Sequence, residues 1–298
     1  MPKIKVGRRR RRDAPQPPHP DGAIKLRIAL LTFESLVSAE AVRRFVADHA
    51  SDIALVAVSD PLRLHAGAEA RRTLRLLRHA GLRLQPYLIA NFALPRLPTA
   101  RLPRGPDAPA EALPLARLCR RLGLPCLDVP DCNDPAFHAR LAASGAELIV
   151  TYHFDQILSP ATIAAVPLGG INIHPGKLPA QRGPVPTIHA LMQQEPDFAV
   201  TVHRLAPRID AGPILGQQSL DLPHQTTALE AARKLHLAAL PMLAETLPRL
   251  AAGIAGERVV EPLPYCGFPR AADLARLARA GRRLADRADF MRALRLVV

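Results

Sequence analysis

KLRIALLTFESLVSAEAVRRFVADHASDIALVAVSD, residues 25–60, decides the fold. KLRIALLTF (25–33) is a nearly continuous apolar run of strand length, and a helical pattern follows near 38–49. DIALVAVSD (52–60) is then a second apolar run. Runs that are apolar at successive positions, and not only at alternate ones, belong to strands covered on both faces. Strand, helix and strand at this spacing predict a parallel βαβ unit.

The pattern continues down the chain. PCLDV (125–129), AELIVTYHF (146–154) and GGINIHP (169–175) read as further strands, with helices at about 113–122 and 134–144 between them. Five alternating strands predict an α/β protein with an open, doubly wound, mostly parallel sheet. FAVTVHRL (198–205) and PILGQQSLDL (213–222) read as extended segments around a turn at Asp210–Gly212. An amphipathic helix is expected over about 226–252, kinked or split by Pro241. A helix is also expected over 67–80, and the prolines at 86, 95, 98, 103, 106 and 109 predict an irregular insertion over 84–115. The expected organisation is a disordered basic tail (1–24), a catalytic domain (25–255) and a helical C-terminal appendix (256–298), which opens on the irregular PLPYCGFP (262–269).

Composition narrows the function classes. With 298 residues and 48% hydrophobic content, the chain can bury a sizeable core. No run approaches the 18 or so apolar residues of a membrane span, and the start, MPKIKVGRRRRRD, lacks the apolar stretch of a secretory signal. Cys119, Cys126, Cys132 and Cys266 form no CxxC pair and are expected to be reduced thiols. These features predict a cytoplasmic protein. The net charge of +14 permits a nucleic-acid partner. Much of the arginine lies on Ala/Leu/Arg helical patterns, however, and with no Trp, three Tyr and eight Phe, stacking platforms are scarce. A nucleic-acid partner is therefore possible but not favoured.

In open parallel sheets ligands bind beyond the carboxyl ends of the strands. No GxGxxG follows the first strand and no GxxxxGK[ST] occurs, so the usual dinucleotide and P-loop sites are absent from the sequence. Two strands deliver polar residues to that edge. Asn172 and His174, two apart, point to one face, and a loop rich in Gly and Pro (175–186) follows them. His153 ends the preceding strand, either facing a ligand or serving as an ordinary polar terminus. His189 and His203 are expected to be structural. No histidine pair has the i, i+4 spacing of zinc enzymes, so no metal site is expected.

These residues carry a family resemblance. Asn172-Ile-His174-Pro, Leu178-Pro179, Arg182-Gly183-Pro184 and Ile209-Asp210-Ala211-Gly212-Pro-Ile resemble the 10-formyltetrahydrofolate-dependent formyltransferases, which include glycinamide ribonucleotide, methionyl-tRNA and amino-sugar enzymes. The resemblance implies a formyltransferase-type Rossmann-like fold, with Asn172, His174 and Asp210 as catalytic residues and 38 positions between the first and last of them. It also implies that 10-formyltetrahydrofolate is held by Gln156, Ile157, Leu158 and Asp210, with Arg182, Gly183 and Ser35 on the acceptor side.

The residue types suit the chemistry. A carboxamide donates to a developing oxyanion without titrating. An imidazole stabilises that charge or moves the proton between amines, and a carboxylate supports the imidazole. The expected reaction is formyl transfer to the primary amine of a small molecule, such as an amino sugar, through a tetrahedral intermediate. Thr32-Phe33-Glu34-Ser35 departs from the Gly-rich loop of the glycinamide ribonucleotide enzymes. Residues beyond 255 read as helix, where the resemblance to methionyl-tRNA enzymes would imply a barrel. The alternatives are a 10-formyltetrahydrofolate hydrolase, a methionyl-tRNA formyltransferase-like enzyme, and a non-catalytic basic protein that binds nucleic acid or a membrane surface.

Overall fold

The computed structural model describes residues 26–60, 79–97 and 108–298. The expected tail (1–24) and nearly all of the expected helix over 67–80 lie outside the described residues.

Seven strands form one sheet in the order β3-β2-β1-β4-β5-β6-β7. They are β1 (Ile28–Thr32), β2 (Ile53–Val58), β3 (Cys126–Asp128), β4 (Leu148–Tyr152), β5 (Gly170–His174), β6 (Phe198–Arg204) and β7 (Ile214–Leu220). The pairs β1–β2, β1–β4, β2–β3 and β4–β5 are parallel. The two segments expected to be extended pair antiparallel, β6 on β5 and β7 on β6, and so enlarge the predicted five-stranded sheet.

Alternation along β1 separates two cores. Ile28 and Leu30 face a large apolar cluster with Phe45 and Val46 of α1 (Ala39–Asp48) and Leu118 of α3 (Leu115–Leu122). Ala29 and Leu31 face a smaller one with Phe137 and Leu141 of α4 (Pro135–Ser144). Helices on both faces explain why β1, β2 and β4 read as continuous apolar runs. The strand order reverses between β1 and β4, which places a crevice edge at Phe33 and His153.

Two expectations about proline are corrected. Of the insertion expected over 84–115, residues 82–96 form a succession of short helical turns that includes α2 (Gln85–Leu88), and residues 98–107 lie outside the described residues. Pro86 and Pro95 sit in the first turns of their segments, where no N–H is required. Asn91 in this stretch accepts from Val37 N through its side chain and from Leu36 N through its carbonyl, bracing the loop after β1. The long C-terminal helix of the domain, α7 (Ala228–Ala251), is one helix that Pro241 does not split, with Pro248 also inside it. Its buried stripe, with Leu229, Leu235, Leu243, Leu247 and Leu250 in the large cluster, compensates for the lost backbone bonds. Thr227 caps its start by accepting from Glu230 N at 3.0 Å. Past it lie α8 (Ala271–Arg279) and α9 (Arg287–Arg295). Between β4 and β5 there is α5 (Pro160–Ile163), and after β5 comes α6 (Pro186–Leu191). Among the described residues no helix is long and apolar enough to cross a membrane.

A fully buried arginine joins distant parts. Arg43 donates Nε to Glu34 Oε1 at 2.5 Å, Nη1 to Glu111 O at 3.0 Å and Nη2 to Val297 O. Glu34 Oε2 accepts from Leu115 N at 2.9 Å. Burial pushes the Glu34 carboxyl up, against the opposing pull of Arg43. Removing one partner of such a pair strands a buried charge, and Arg43→Ala is expected to cost about 3–5 kcal/mol of stability. A urea melt reads it, and a loss below about 1 kcal/mol, the range of an exposed pair, would show the network to be inert.

Candidate active site

The site begins with strand pairing. Parallel β4 sets Thr151 beside Asn172, and antiparallel β6 sets His203 beside it on the other edge. Thr151 Oγ1 donates to Asn172 Oδ1 at 2.8 Å. Asn172 Nδ2 lies 3.1 Å from His203 Nε2. His203 Nδ1 is 2.8 Å from the Arg204 carbonyl, which can only accept, so Nδ1 carries the proton and Nε2 accepts from Asn172. Burial holds the His203 imidazole down at about 4, with the neighbouring His174 adding to the shift and Asp210 opposing it. His203 is therefore neutral at pH 7. The carboxamide is thus clamped at both ends, with one N–H left over.

His174 is fixed by the same logic. Its Nε2 donates to the Gln181 carbonyl at 2.7 Å. A Cβ at position 176 would lie 2.7 Å from that nitrogen, so the close turn after Pro175 needs glycine. Nδ1 is then the nitrogen left to exchange a proton, and it faces Asp210 Oδ1 at 3.7 Å. His203 Nε2 is also 3.7 Å from the same oxygen. Asp210 Oδ2 accepts from Gly183 N at 2.9 Å. Asp210 has φ +48, a left-handed conformation that costs a non-glycine residue and is found where surroundings impose it. The three sequence-predicted catalytic residues therefore converge.

The other site residues fall in varied places. The Gln156 side chain is occupied within the protein: Oε1 accepts from Cys132 N at 2.8 Å and Nε2 donates to Val129 O at 2.9 Å. Ile157 is 58% exposed, and Leu158 is buried. The backbone amides of 156–158 have no partner among the described residues, so this loop offers backbone donors while its glutamine ties it to β3. Ser35 is buried, its hydroxyl near Ser38 Oγ (3.2 Å) and His153 Nδ1 (3.2 Å). His153 has φ +54 and its ring lies 4.1 Å from that of Phe33. Arg182, expected on the acceptor side, is buried, with Nε on Ile209 O and Asp210 O and Nη1 on Leu263 O. Its planar fork matches the backbone carbonyls within reach.

His203, read from the sequence as structural, lies against Asn172 Nδ2 and 3.7 Å from Asp210 Oδ1. Its signal was the same-face spacing with Thr201 in TVHR. Thr201 Oγ1 donates to Gly176 O at 2.7 Å, so both residues serve the Asn172–His174 loop.

Residues 117–247, which hold Asn172, His174 and Asp210, match the formyl transferase family model. Methionyl-tRNA formyltransferase from Roseiflexus castenholzii is 36% identical over 154 residues, 50% of this chain and 49% of that protein. A homologous enzyme of the same description from Herpetosiphon aurantiacus is 36% identical over 50% of each chain. The chain thus matches these relatives over about half of their length. Among solved structures, a sugar N-formyltransferase from a Shewanella species superposes with TM-score 0.51 at 17% identity, covering 81% of this chain and 77% of that one. Glycinamide ribonucleotide transformylase 1 from Symbiobacterium toebii gives 0.51 at 19%, covering 80% and 95%. At such identities the likeness speaks to the fold, and it supports the formyltransferase-type α/β architecture.

The buried histidines set an acid limit. His203 and His236 both fall from 6.5 to about 4 on burial, and neither ring nitrogen of His236 has a partner among the described residues. A histidine lowered by folding is protonated first in the unfolded chain, so its contribution is present above pH 6.5 and is lost as pH falls toward 4. Each should cost roughly 2 kcal/mol between pH 7 and pH 5. Unfolding followed at both pH values should show the drop, and His236→Leu should reduce it; equal stability at pH 7 and pH 5 would refute the assignment.

Proposed function

We propose that the protein transfers a formyl group from 10-formyltetrahydrofolate to the primary amine of a small-molecule acceptor such as an amino sugar. The observation that carries this is the convergence of Asn172, His174 and Asp210, with one carboxylate oxygen 3.7 Å from both His174 Nδ1 and His203 Nε2. The donor fits the residues present: the backbone amides of Gln156–Leu158, unpaired among the described residues and beside exposed Ile157, would hold its ring system. When bound, it supplies the activated formyl group.

The chain's own residues divide the remaining work. Asn172 has its carbonyl on Thr151 and one N–H on His203, so the second N–H is free to meet a developing oxyanion. With Nε2 committed to Gln181, His174 takes or gives its proton only at Nδ1. Asp210 stabilises the imidazolium that results. A neutral His203 adds no competing positive charge beside it, which leaves the carboxylate to a single cation.

A second acceptor, methionyl-tRNA, is favoured by the description of the relatives at 36% identity. Purified protein given 10-formyltetrahydrofolate and a panel of amino-sugar nucleotides, glycinamide ribonucleotide and initiator methionyl-tRNA should release tetrahydrofolate with one acceptor class. Asn172→Ala should lower kcat about 10²–10³-fold, the cost of one oxyanion donor. His174→Ala should lower it about 10²–10⁴-fold, the usual range for proton transfer. Activity that survives either change in a folded variant would sink the proposal.

A further inference from the structure

The segment 262–268 lies outside residues 117–247, yet it is fastened to the site loop at several points. Arg182 Nη1 donates to Leu263 O at 2.7 Å, and Cys266 N donates to Arg182 O at 2.8 Å. Cys266 Sγ reaches Ala180 O at 3.6 Å, and His189 Nε2 donates to Gly267 O at 2.7 Å. Gly183 has φ +131, and a Cβ there would overlap the Cys266 carbonyl oxygen, so strap and loop pack backbone against backbone.

The same two residues grip the catalytic carboxylate from the other side. Arg182 Nε donates to Ile209 O and Asp210 O, both at 3.1 Å, and Gly183 N donates to Asp210 Oδ2 at 2.9 Å. Asp210, at φ +48, needs such restraint to stay in place. Arg182 thus bridges three carbonyls from two segments some fifty residues apart, a task for a planar fork with several donors and not for a point charge.

We propose that Arg182 is a positioning residue that couples the strap 262–267 to Asp210, so that the carboxylate faces His174 and His203 only while the strap is seated. The kinetic part rests on the proposed formyl transfer; the coupling itself does not.

The test uses the full-length protein. Arg182→Lys keeps the charge but cannot bridge the carbonyls of Asp210 and Leu263 together. Gly183→Ala is a second variant, adding one methyl that collides with the strap. Two measurements need no substrate: iodoacetamide alkylation at Cys266, followed by peptide mass spectrometry, and hydrogen exchange at the Gly183 amide. Both should speed up about tenfold or more in each variant, as local opening becomes easier. Asp210→Ala should also speed alkylation at Cys266, because coupling is reciprocal. With an acceptor in hand, kcat should fall roughly 10–100-fold while the acceptor KM stays within about threefold, the pattern of a misplaced catalytic group.

Unchanged alkylation and exchange in both variants would overturn the proposal, as would a released strap with kcat intact. If the unmodified protein transfers no formyl group but Cys266 responds as expected, the proposed function fails and the coupling stands.

Discussion

Among the described strands, β5 alone pairs parallel on one side and antiparallel on the other. Everything at the site depends on that position. The parallel neighbour brings Thr151 to the carboxamide oxygen of Asn172, and the antiparallel neighbour brings His203 to its nitrogen. A carboxamide rotates freely when unbound; here both ends are specified, so its orientation is set before any ligand arrives. Preorganised donors are effective because they need no rearrangement as charge develops. The hairpin that supplies β6 then turns back through Asp210, so the pairing that orients Asn172 also delivers the carboxylate.

Much of this was legible in the sequence because it rests on local pattern. Continuous apolar runs separated by helical spacing gave β1 to β5, and the period of two placed Asn172 and His174 on one face. The Asp210 turn was visible as Asp-Ala-Gly before a strand. What escaped depends on pairing across strands. Nothing in TVHR says that its histidine will lie opposite Asn172; that follows from the register of β6 on β5. The family resemblance places Arg182 and Gln156 beside ligands, which a local motif match does for any residue inside it. Only the fold reveals that carbonyls from residues 209, 210 and 263, and from 129, already meet them. Prolines misled in the opposite direction. Pro241 does not split α7, because tertiary burial of one helix face outweighs a local defect.

Burial is also the source of the electrostatics. A histidine in water is about one quarter charged at pH 7, but His203 and His236, screened from solvent, stay neutral. His203 can therefore act as a fixed acceptor beside Asp210 without drawing the carboxylate to itself. Charge is permitted where it is paired: Arg43 is fully buried but meets Glu34 and two carbonyls. Solvent exclusion thus keeps His203 neutral and assigns it to geometry, holding the Asn172 carboxamide.

The composition changes near residue 255, where the patterned domain gives way to irregular and then arginine-rich helical sequence. Contacts do not respect that change. Arg43, on the first helix, holds Val297, and Arg182, in the loop after β5, holds Leu263. In both cases a guanidinium with little exposure gathers carbonyls from the C-terminal stretch, supplying donors to backbone groups that irregular segments cannot satisfy through helix or sheet. A loop rich in proline and glycine has few such bonds of its own, so its conformation is borrowed from whatever arginine it meets. The irregularity that makes 262–268 look like a linker in the sequence is therefore what makes it suitable as a strap: it follows the contour of Gly183 and offers its carbonyls outward to Arg182 and His189.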